Sequence, residues 1–284
     1  ASRGKYLAYV PNQLAIGLGL SPTEVTEQNV LGARVAYIDH HLAHAASACF
    51  TAPFEEGAFA VIDAFGEEDS LALGVFQGSH IDIRERVRFP HSLGAFYSAF
   101  TELLGFQSDA DEYKVMALAA YADPELGQRA LDRVRTLHNL DVSGGHLTYA
   151  LDLNRFEHYI FHRARDWSLL GEAVGVPPRA PGEPLGPEHF ALAFGLQRSF
   201  EETVLAILSH TRHVTGHDAV ALSGGCFMNS VANGLLEGPG ASFEQLHIPP
   251  YPDDSGTAVG AALWVTHQDR PRRAQHLRHN FFGP

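Results

Sequence analysis

Three apolar segments separated by short turns lie between Gly57 and Phe89, and they restrict the fold more than any other part of the chain. The segments are AFAVIDA, SLALGVF and IDIRERVRF, and the turns between them are FGEED and QGS. Sequential strands joined by short glycine-containing turns pair as an antiparallel meander. The sequence therefore predicts a sheet that contains a three-stranded meander.

The rest of the chain predicts mixed α/β structure. SLGAFYSAFTELLG and DEYKVMALAAYADP predict helices that end at Gly105 and before Pro124. PEHFALAFGLQRSFEETVLAILSHTRHV predicts a long amphipathic helix with Pro187 near its start. After it, DAVALSGG predicts a strand, CFMNSVANGLLE a helix, EQLHIPP a strand and DDSGTAVGAALWVTHQ a last helix. These patterns predict lobes at about 30–140 and 188–270, with an irregular, proline-rich insertion at about 141–187.

Bulk properties exclude several classes of protein. The chain has 284 residues and 45% hydrophobic residues, which suffice for one large domain or two lobes and argue against disorder. A net charge of −13 argues against a general nucleic-acid-binding surface. Cys49 and Cys226 do not make a disulfide framework, so a reduced cytoplasmic setting is expected. Neither a membrane-spanning run nor a signal peptide is evident.

The segment DHHLAHAAS carries three histidines within five residues. ARVAYID predicts a short buried strand ending near Asp39, and HLAHAASACF predicts a helix. His40 and His44 then share one helical face, whereas His41 points elsewhere. Two imidazoles one turn apart are suited to iron or zinc. The spacing alone is a weak signal in a chain with 17 histidines, and the predicted strand-to-helix junction strengthens it.

The same HxxxH spacing recurs at His158/His162 and His213/His217. The first of these pairs lies in an aromatic and basic segment, and the second contains a glycine that weakens a helix. Both are therefore predicted not to bind metal.

Other polar residues allow both a functional and a structural interpretation. Asp63 precedes a turn, where an acid either forms the turn or holds water or metal near a phosphate. The pair Gly224–Gly225 follows a strand and allows backbone N–H groups to approach a phosphate. Asp253 and Asp254 precede the last helix, where one carboxylate would cap the helix and the other would complete a two-histidine, one-carboxylate metal site.

Seven motifs together resemble the nucleotide-binding domain of the NodU/CmcH family of O-carbamoyltransferases. They are DHHLAHAAS, VIDAFGE, PHSLGAFYSAFTELLGF, DEYKVMALAAYADP, LSGGCFMNSVANG, PPYPDDSGTAVGAAL and the terminal FFGP. The resemblance covers nearly the whole chain and implies one domain over 1–284 with the actin-like, sugar-kinase-like ATPase (ASKHA) fold. It also implies kinship with the tRNA threonylcarbamoyl transferase and with part of the hydrogenase maturation carbamoyltransferase.

The resemblance implies an enzyme that uses carbamoyl phosphate and ATP. A YrdC-like domain, in cis or in trans, makes carbamoyl adenylate, and this domain transfers the carbamoyl group to a hydroxyl of a small molecule, as in antibiotic biosynthesis. The expected cofactors are Fe²⁺, with Zn²⁺ or Mn²⁺ as alternatives, and ATP or carbamoyl adenylate, with which Mg²⁺ is compatible. No membrane is involved, nucleic acid is disfavoured by charge, and a homodimer is allowed.

The predicted site residues fall into four groups. The resemblance carries the family's metal ligands onto His40, His44 and Asp254, and its nucleotide-side residues onto Asp63, Gly224 and Gly225. Asn229 and Asp253 are added to the nucleotide side. The predicted catalytic residues are His44, Asp63 and Lys114, although a lone lysine among acids is more often an exposed ion pair. The predicted acceptor-side residues are Asp111, Glu112 and Asp152.

The sequence also departs from the family pattern. An N-terminal strand hairpin with an early His-Asp-Ser stretch is not found, and the linker to a YrdC-like domain would follow the last residue. Alanines at 117, 120 and 122 replace the usual residues of ALAAYAD. Two competing hypotheses are a tRNA-modifying relative, against which the net charge argues, and a non-catalytic nucleotide-binding partner subunit. In each case Asp254→Asn is expected to retain the fold and lose most bound metal.

Overall fold

The computed structural model describes residues 25–26, 29–30, 33–34, 36–159, 165–238 and 240–269, and the chain divides into two compact units, Ala1–Asp39 and His40–Pro284. In the first unit, three two-residue strands pair antiparallel in the order β1–β2–β3. These strands are β1 (Val25–Thr26), β2 (Asn29–Val30) and β3 (Ala33–Arg34).

The strand predicted for ARVAYID is wrong for residues 36–39. Residues 36–39 have no regular secondary structure, and Tyr37 is 48% exposed. An alternating pattern forms a strand only where a neighbouring strand pairs with it, and none of the described strands pairs with residues 36–39. The histidine motif therefore opens its helix directly, without the predicted strand-to-helix junction.

The second unit is built on a five-stranded mixed sheet in the order β10–β9–β4–β5–β6. The remaining strands are β4 (Glu56–Gly66), β5 (Asp69–Gln77), β6 (His80–Arg88), β7 (His138–Asp141), β8 (Thr148–Leu151), β9 (Ala219–Ser223) and β10 (Gln245–His247). Strands β4, β5 and β6 form the predicted antiparallel meander. Strands β9 and β10 run parallel to β4, and β7 pairs with β8 in a separate hairpin. The mixed α/β prediction is confirmed.

The α-helices of the second unit include the predicted ones, with one exception, and two that were not predicted, at Pro124–Val134 and Ser168–Val174. They are α1 (His40–Thr51), α2 (Leu93–Leu103), α3 (Glu112–Leu118), α4 (Pro124–Val134), α5 (Ser168–Val174), α6 (Pro187–Thr215), α7 (Ser230–Asn233) and α8 (Ser255–Asp269). The exception is CFMNSVANGLLE, where a 3₁₀ turn precedes the single turn of α7, because the Asn229 side chain caps a new helix at Ser230. Among the described helices, none has the length and apolarity needed to cross a bilayer.

The central strands of this sheet are buried on both faces. On β4, Ala60 and Ile62 belong to the larger core with α2 and α6, whereas Phe59 and Val61 face the smaller core with α1. A strand that is covered on both faces has a nearly continuous run of apolar residues in its sequence, and β4 and β9 have such runs. Because β4 pairs in parallel with β9, Val61 lies opposite Ser223, so segments from both predicted lobes share one sheet. The carboxyl ends of these two strands consequently lie side by side.

The segment at about 141–187, predicted as irregular, contains more secondary structure than its proline content suggested. It includes β8 and α5 as well as the irregular stretch before α6. The hairpin of β7 and β8 contributes Tyr149 and Leu151 to the larger core. Burial of these side chains explains why the segment folds despite its prolines and glycines.

The two cysteines are free thiols buried in the described part of the chain. Cys49 lies in α1 and Cys226 follows the Gly224–Gly225 pair. Burial raises the pKa of both thiols well above the usual value, so neither is a thiolate near neutral pH. Both side chains therefore act as small apolar residues of the core.

His138, at the start of β7, is expected to make folding stability depend on pH. Burial lowers its pKa from 6.5 to about 4, although Glu202 opposes this shift. Between these two values the unfolded chain binds a proton that the folded chain does not, so stability falls as pH falls. When the pH falls from about 7 to about 4, the wild type should lose about 3 kcal/mol more unfolding free energy than His138→Phe.

Urea unfolding at both pH values measures this difference. Nε2 of His138 lies 2.6 Å from Oγ of Ser199, so the variant also loses a hydrogen bond, but that loss does not depend on pH. The exposed His80 provides the control variant His80→Phe, which should change nothing. Equal pH dependence in wild type and His138→Phe would contradict the prediction.

Candidate metal centre

Helices α1 and α8 pack at close range, and this contact places the start of α8 beside α1. A Cβ atom added at Gly260 would lie 1.8 Å from the backbone oxygen of Ala43, and one at Gly256 would lie 3.2 Å from Oγ of Ser47. Only glycine leaves room for this approach. The small residues of AHAAS and SGTAVGAAL therefore bring the two helices together.

Four side chains meet where α1, β4 and α8 converge. His40 and His44 lie one turn apart on α1, Asp63 lies near the end of β4, and Asp254 directly precedes α8. One ligand atom from each of them lies within 4.8 Å of every other. Within the described ranges, no other group of three or more histidine, cysteine, aspartate or glutamate side chains is spaced in this way.

The donor atoms of this cluster are spaced like the ligands of one ion. Nε2 of His40 lies 3.1 Å from Nε2 of His44 and from Oδ2 of Asp63, and the remaining histidine-to-carboxylate distances are 3.3 to 3.4 Å. Metal–ligand bonds of about 2.0–2.2 Å put neighbouring ligand atoms roughly 3–3.5 Å apart. Two imidazoles and two carboxylates also suit Fe²⁺, Zn²⁺ and Mn²⁺. The residues therefore fit a divalent transition metal.

Hydrogen bonds behind His44 fix the tautomer that a metal ligand needs. Oγ of Ser223 donates to the Pro252 carbonyl over 3.1 Å and lies 3.2 Å from Nδ1 of His44. Since the serine has a single proton, which it gives to Pro252, Nδ1 of His44 must donate to Oγ. The lone pair of His44 then lies on Nε2, which faces the cluster.

The electrostatics of the cluster favour bound positive charge. Burial would raise the pKa of Asp63, but hydrogen bonds from His40 and His44 outweigh it, and the pKa falls well below the usual value. Burial likewise lowers the pKa of His44, but hydrogen bonds to Asp254 and Asp63 raise it to about 9. Two carboxylates thus face the same small volume, where protons or a metal ion neutralise them.

His41 does not join this cluster. It is 1% exposed, and its ring nitrogens make no hydrogen bond to any described residue. Burial, aided by His40, lowers its pKa to about 4, so its ring is neutral near pH 7. The buried position of His41 outside the cluster is consistent with the prediction that its side chain points away from His40 and His44.

Asp63 connects the metal cluster to the glycine pair. Its Oδ1 accepts hydrogen bonds from the backbone N–H groups of Ala64 (2.8 Å) and Gly225 (3.1 Å), whereas its Oδ2 faces His40. The sequence predicted Asp63 as a catalytic and nucleotide-side residue and did not include it among the three metal ligands. In the structure one oxygen faces the histidines and the other faces the glycine turn, because β4 and β9 are neighbours in the sheet.

The two aspartates before α8 make different contacts. Oδ1 of Asp253 accepts from the Ser255 hydroxyl over 2.6 Å. The Asp254 side chain is 75% exposed and directs Oδ1 to His40 and His44. Asp253 is thus engaged at the helix start, and its predicted nucleotide contact stays a prediction.

The Gly224–Gly225 turn lies directly against β4. Gly224 has φ +101°, and a Cβ atom there would lie 2.3 Å from the Ile62 carbonyl oxygen. A Cβ atom at Gly225 would lie 2.9 Å from Oδ1 of Asp63. Position 224 therefore needs glycine, whereas a side chain at Gly225 would displace the Asp63 carboxylate, to which the N–H of Gly225 is bound.

Asn229, predicted as a nucleotide contact, is bound within the protein. Its Oδ1 accepts from the backbone N–H of Ala232 and from Nε2 of Gln197, both over 3.0 Å. Its Nδ2 donates to Oε1 of Gln197 over 2.9 Å. The side chain therefore supports the turn from behind.

Two of the predicted acceptor-side residues, Asp111 and Glu112, lie at the start of α3, close to Lys114. Lys114 forms an exposed ion pair of 2.7 Å with Asp111, whose hydrogen bond raises the pKa of the lysine, so the ammonium group stays protonated. Oε1 of Glu112 accepts from Ser98 Oγ and from the Asp109 N–H, both over 2.8 Å. The structure brings neither Lys114 nor Asp111 into the metal cluster, and their roles in catalysis and acceptor binding stay predictions.

Asp152 and His158 make local hydrogen bonds, and the acceptor-binding role of Asp152 stays a prediction. Oδ1 of Asp152 accepts from Asn154, which stabilises the turn after β8. Nε2 of His158 lies 2.7 Å from the Pro90 carbonyl oxygen, and His162 lies outside the described residues. His213, on α6, belongs to no metal-spaced group among the described residues.

Gly66→Ala is expected to displace His40 and to lower metal occupancy. A Cβ atom at Gly66 would lie 2.0 Å from Cδ2 of His40. The His40 side chain is 21% exposed, so its ring can swing outward while the fold is retained. We expect metal affinity to fall by about 10–100-fold, as is typical for changes beside metal ligands. Metal analysis after dialysis against a buffered metal solution measures the loss.

Gly234→Ala is the matched control. A Cβ atom there would meet its nearest neighbours, the Ser230 and Val231 carbonyl oxygens, at 3.5 Å, and φ is −62°. This variant should keep its metal. Full occupancy in Gly66→Ala would show that His40 is not a ligand.

Sequence reasoning did not identify Ser223, Gly66 and Gly260, which shape the centre without binding the metal. In the sequence, Ser223 is simply the residue before the glycine pair, and Gly66 is simply a residue of a predicted turn. Gly260 lies one turn after Gly256, and such spacing is a signal for close helix packing. None of these signals identifies the partner element.

The chain is similar to a known family and to several known proteins. The profile of the family described as "Carbamoyltransferase N-terminus" matches residues 6–263. Nodulation protein NolO of Bradyrhizobium diazoefficiens is 33% identical over 252 residues, which cover 87% of this chain and 42% of the relative. Nodulation protein NolNO of Sinorhizobium fredii is 32% identical over 256 residues, which cover 88% of this chain and 34% of the relative.

An uncharacterized protein of Synechocystis is 36% identical over 230 residues, covering 81% of this chain and 36% of the relative. The chain thus spans between a third and about two-fifths of the length of these relatives. The family match extends over most of the chain and includes all four residues of the metal cluster. The chain belongs to the carbamoyltransferase family and matches the N-terminal part of that family's proteins.

Proposed function

We propose that this chain transfers a carbamoyl group from carbamoyl adenylate to a hydroxyl of a small natural product or sugar. The observation that carries the proposal is the cluster of His40, His44, Asp63 and Asp254, which also binds the N–H of Gly225 through Asp63. A metal site joined to a glycine turn is suited to a phosphate-containing substrate. Membership of the carbamoyltransferase family supports this reaction type.

The fold that we propose is the actin-like, sugar-kinase-like ATPase fold. An antiparallel meander next to two parallel strands supports this assignment. In this proposal, ATP or carbamoyl adenylate lies with its phosphate at the turn between β9 and α7, and any Mg²⁺ accompanies the nucleotide. The approach of this turn to β4 supports this arrangement, in which the phosphate would lie beside Asp63.

The metal would be held by His40, His44, Asp63 and Asp254. We favour Fe²⁺ over Zn²⁺ or Mn²⁺ as this metal. When bound, such an ion supplies Lewis-acid stabilisation of negative charge on phosphoryl or carbonyl oxygens. Ser223 keeps Nε2 of His44 available, and the backbone N–H groups of Ala64 and Gly225 orient the Asp63 carboxylate. These contacts preorganise the donors before substrate binds.

The proposed transfer requires one bond to form and one to break. The acceptor hydroxyl oxygen bonds to the carbamoyl carbon, the bond from that carbon to the adenylate phosphate oxygen breaks, and AMP leaves with the electron pair. The hydroxyl proton must pass to a base. Lys114 stays protonated in its ion pair with Asp111, so it would contribute fixed positive charge instead of accepting that proton.

Carbamoyl adenylate would be made from carbamoyl phosphate and ATP by a YrdC-like domain, in cis or in trans. The test is to supply synthetic carbamoyl adenylate to the metal-loaded chain, with a panel of hydroxylated acceptors, and to detect AMP and carbamoylated product by mass spectrometry. Product is expected without added YrdC-like protein. Nucleotide binding without turnover on any acceptor would indicate a non-catalytic partner subunit, and tight tRNA binding would favour the tRNA-modifying alternative.

A further inference from the structure

A buried polar network lies behind the Gly224–Asn229 turn. Oε1 of Gln197 accepts from the Tyr97 hydroxyl and from Nδ2 of Asn229, both over 2.9 Å. Nε2 of Gln197 donates to Oε1 of Glu201 and to Oδ1 of Asn229, both over 3.0 Å. Both acceptor positions and both donor hydrogens of the Gln197 amide are therefore used.

The direction of every hydrogen bond in this network is determined from its two ends. Glu201 is 3% exposed, and its carboxylate only accepts, so the Gln197 amide must direct Nε2 toward it. At the other end, the backbone N–H of Ala232 only donates, so Asn229 must direct Oδ1 toward it. The two requirements agree, which leaves one arrangement for both amides.

The network connects the turn to the element that supports Asp63. Tyr97 lies on α2, and Oγ of Ser92, the N-cap of that helix, donates to the Ala64 carbonyl and lies 3.1 Å from the Asp63 carbonyl oxygen. A Cβ atom at Gly94 would lie 2.8 Å from the Asp63 carbonyl carbon. Helix α2 thus contacts Asp63 at its start and reaches the turn through Tyr97.

We propose that Tyr97, Gln197 and Glu201 are positioning residues that act through Asn229 to hold the Gly224–Asn229 turn in its nucleotide-binding conformation. The proposal rests on the proposed function, because it takes ATP as the ligand of the turn. It assigns Asn229 a supporting role in place of the direct contact that the sequence suggested. In this proposal the turn shapes the phosphate site through its backbone, whose Gly224 and Gly225 N–H groups are held by Pro252 and Asp63, and the Asn229 side chain does not contact the phosphate.

Gln197→Met tests the proposal, because methionine keeps the shape of glutamine and removes all four hydrogen bonds. We expect faster hydrogen–deuterium exchange in the peptide covering residues 224–232. We also expect the affinity for ATP with Mg²⁺, measured by calorimetry, to fall by about tenfold or more. Metal content should match that of the wild type. The exposed Gln128, on α4, provides the control Gln128→Met, which should change neither quantity.

Asn229→Ala and the double variant separate this role from a general loss of stability. If Gln197 acts only through Asn229, the two substitutions should not add. The double variant Gln197→Met/Asn229→Ala should then have the same ATP affinity as whichever single variant binds ATP less tightly. Unchanged exchange in Gln197→Met, or faster exchange with unchanged ATP affinity, would overturn the proposal. If wild-type protein binds no ATP, the proposed function fails, and the exchange rates alone then decide whether these residues hold the turn.

Discussion

Asp63→Asn is expected to lose bound metal more completely than Asp254→Asn. Oδ1 of Asp63 accepts two backbone hydrogen bonds, so an asparagine there would keep its carbonyl oxygen in that place and turn its NH₂ group toward His40 and His44. A donor would then replace an anionic oxygen, and metal affinity should fall by far more than the roughly 10–100-fold typical of outer-shell changes.

Asp254→Asn has a smaller expected effect, of about 10–100-fold. The Asp254 side chain is 75% exposed and can present the carbonyl oxygen of an asparagine to the metal. The sequence identified Asp254 as the single anionic ligand and predicted loss of most metal. With Asp63 in the cluster, one carboxylate remains in this variant, so partial occupancy is expected.

Metal content by mass spectrometry, at several free metal concentrations, measures both variants. Thermal melts in the presence of a chelator check that the fold survives. Asp82→Asn is the control, because Asp82 lies in an exposed ion pair with Arg84. If Asp254→Asn loses more metal than Asp63→Asn, the prediction is contradicted, and Asp63 serves only the glycine turn.

Gly260→Ala is expected to have the largest effect on stability. Its Cβ atom would lie 1.8 Å from the Ala43 carbonyl oxygen and 2.9 Å from the Ser47 backbone nitrogen. Backbone atoms cannot rotate away as side chains do, so α1 and α8 must separate. Overpacking of this kind costs about 1–3 kcal/mol, and occasionally more. Because Asp254 precedes α8, the separation should also move it from His44 and lower metal affinity.

Urea unfolding of the chelated protein measures the loss of stability, and metal analysis measures the second effect. Gly144→Ala is the matched control, because a Cβ atom at Gly144 would have no neighbour within 4 Å. Wild-type stability in Gly260→Ala would contradict the packing that the structure describes. Reduced stability with full metal content would mean that Asp254 follows the histidines when the helices move.

Most secondary structure of the second unit was predictable because it depends on local pattern. The meander of β4, β5 and β6 follows from apolar runs divided by glycine turns, and α6 from helical periodicity after Pro187. One error occurred where a distant partner decides the outcome, because residues 36–39 lack a described pairing strand. The other error is local, because the Asn229 side chain accepts a hydrogen bond from the backbone N–H of Ala232 and so starts a new helix.

By itself, the sequence determined the periodicity that makes α1 a helix, and therefore the common face of His40 and His44, one turn apart. It did not determine which carboxylates or hydroxyls join them. Asp63, Ser223 and Asp254 lie 23, 179 and 210 residues away from their histidine partners along the chain. Only the parallel pairing of β4 with β9 and the glycine-dependent contact of α1 with α8 bring them together. Such contacts depend on shape complementarity between distant segments, which no local pattern of residues encodes.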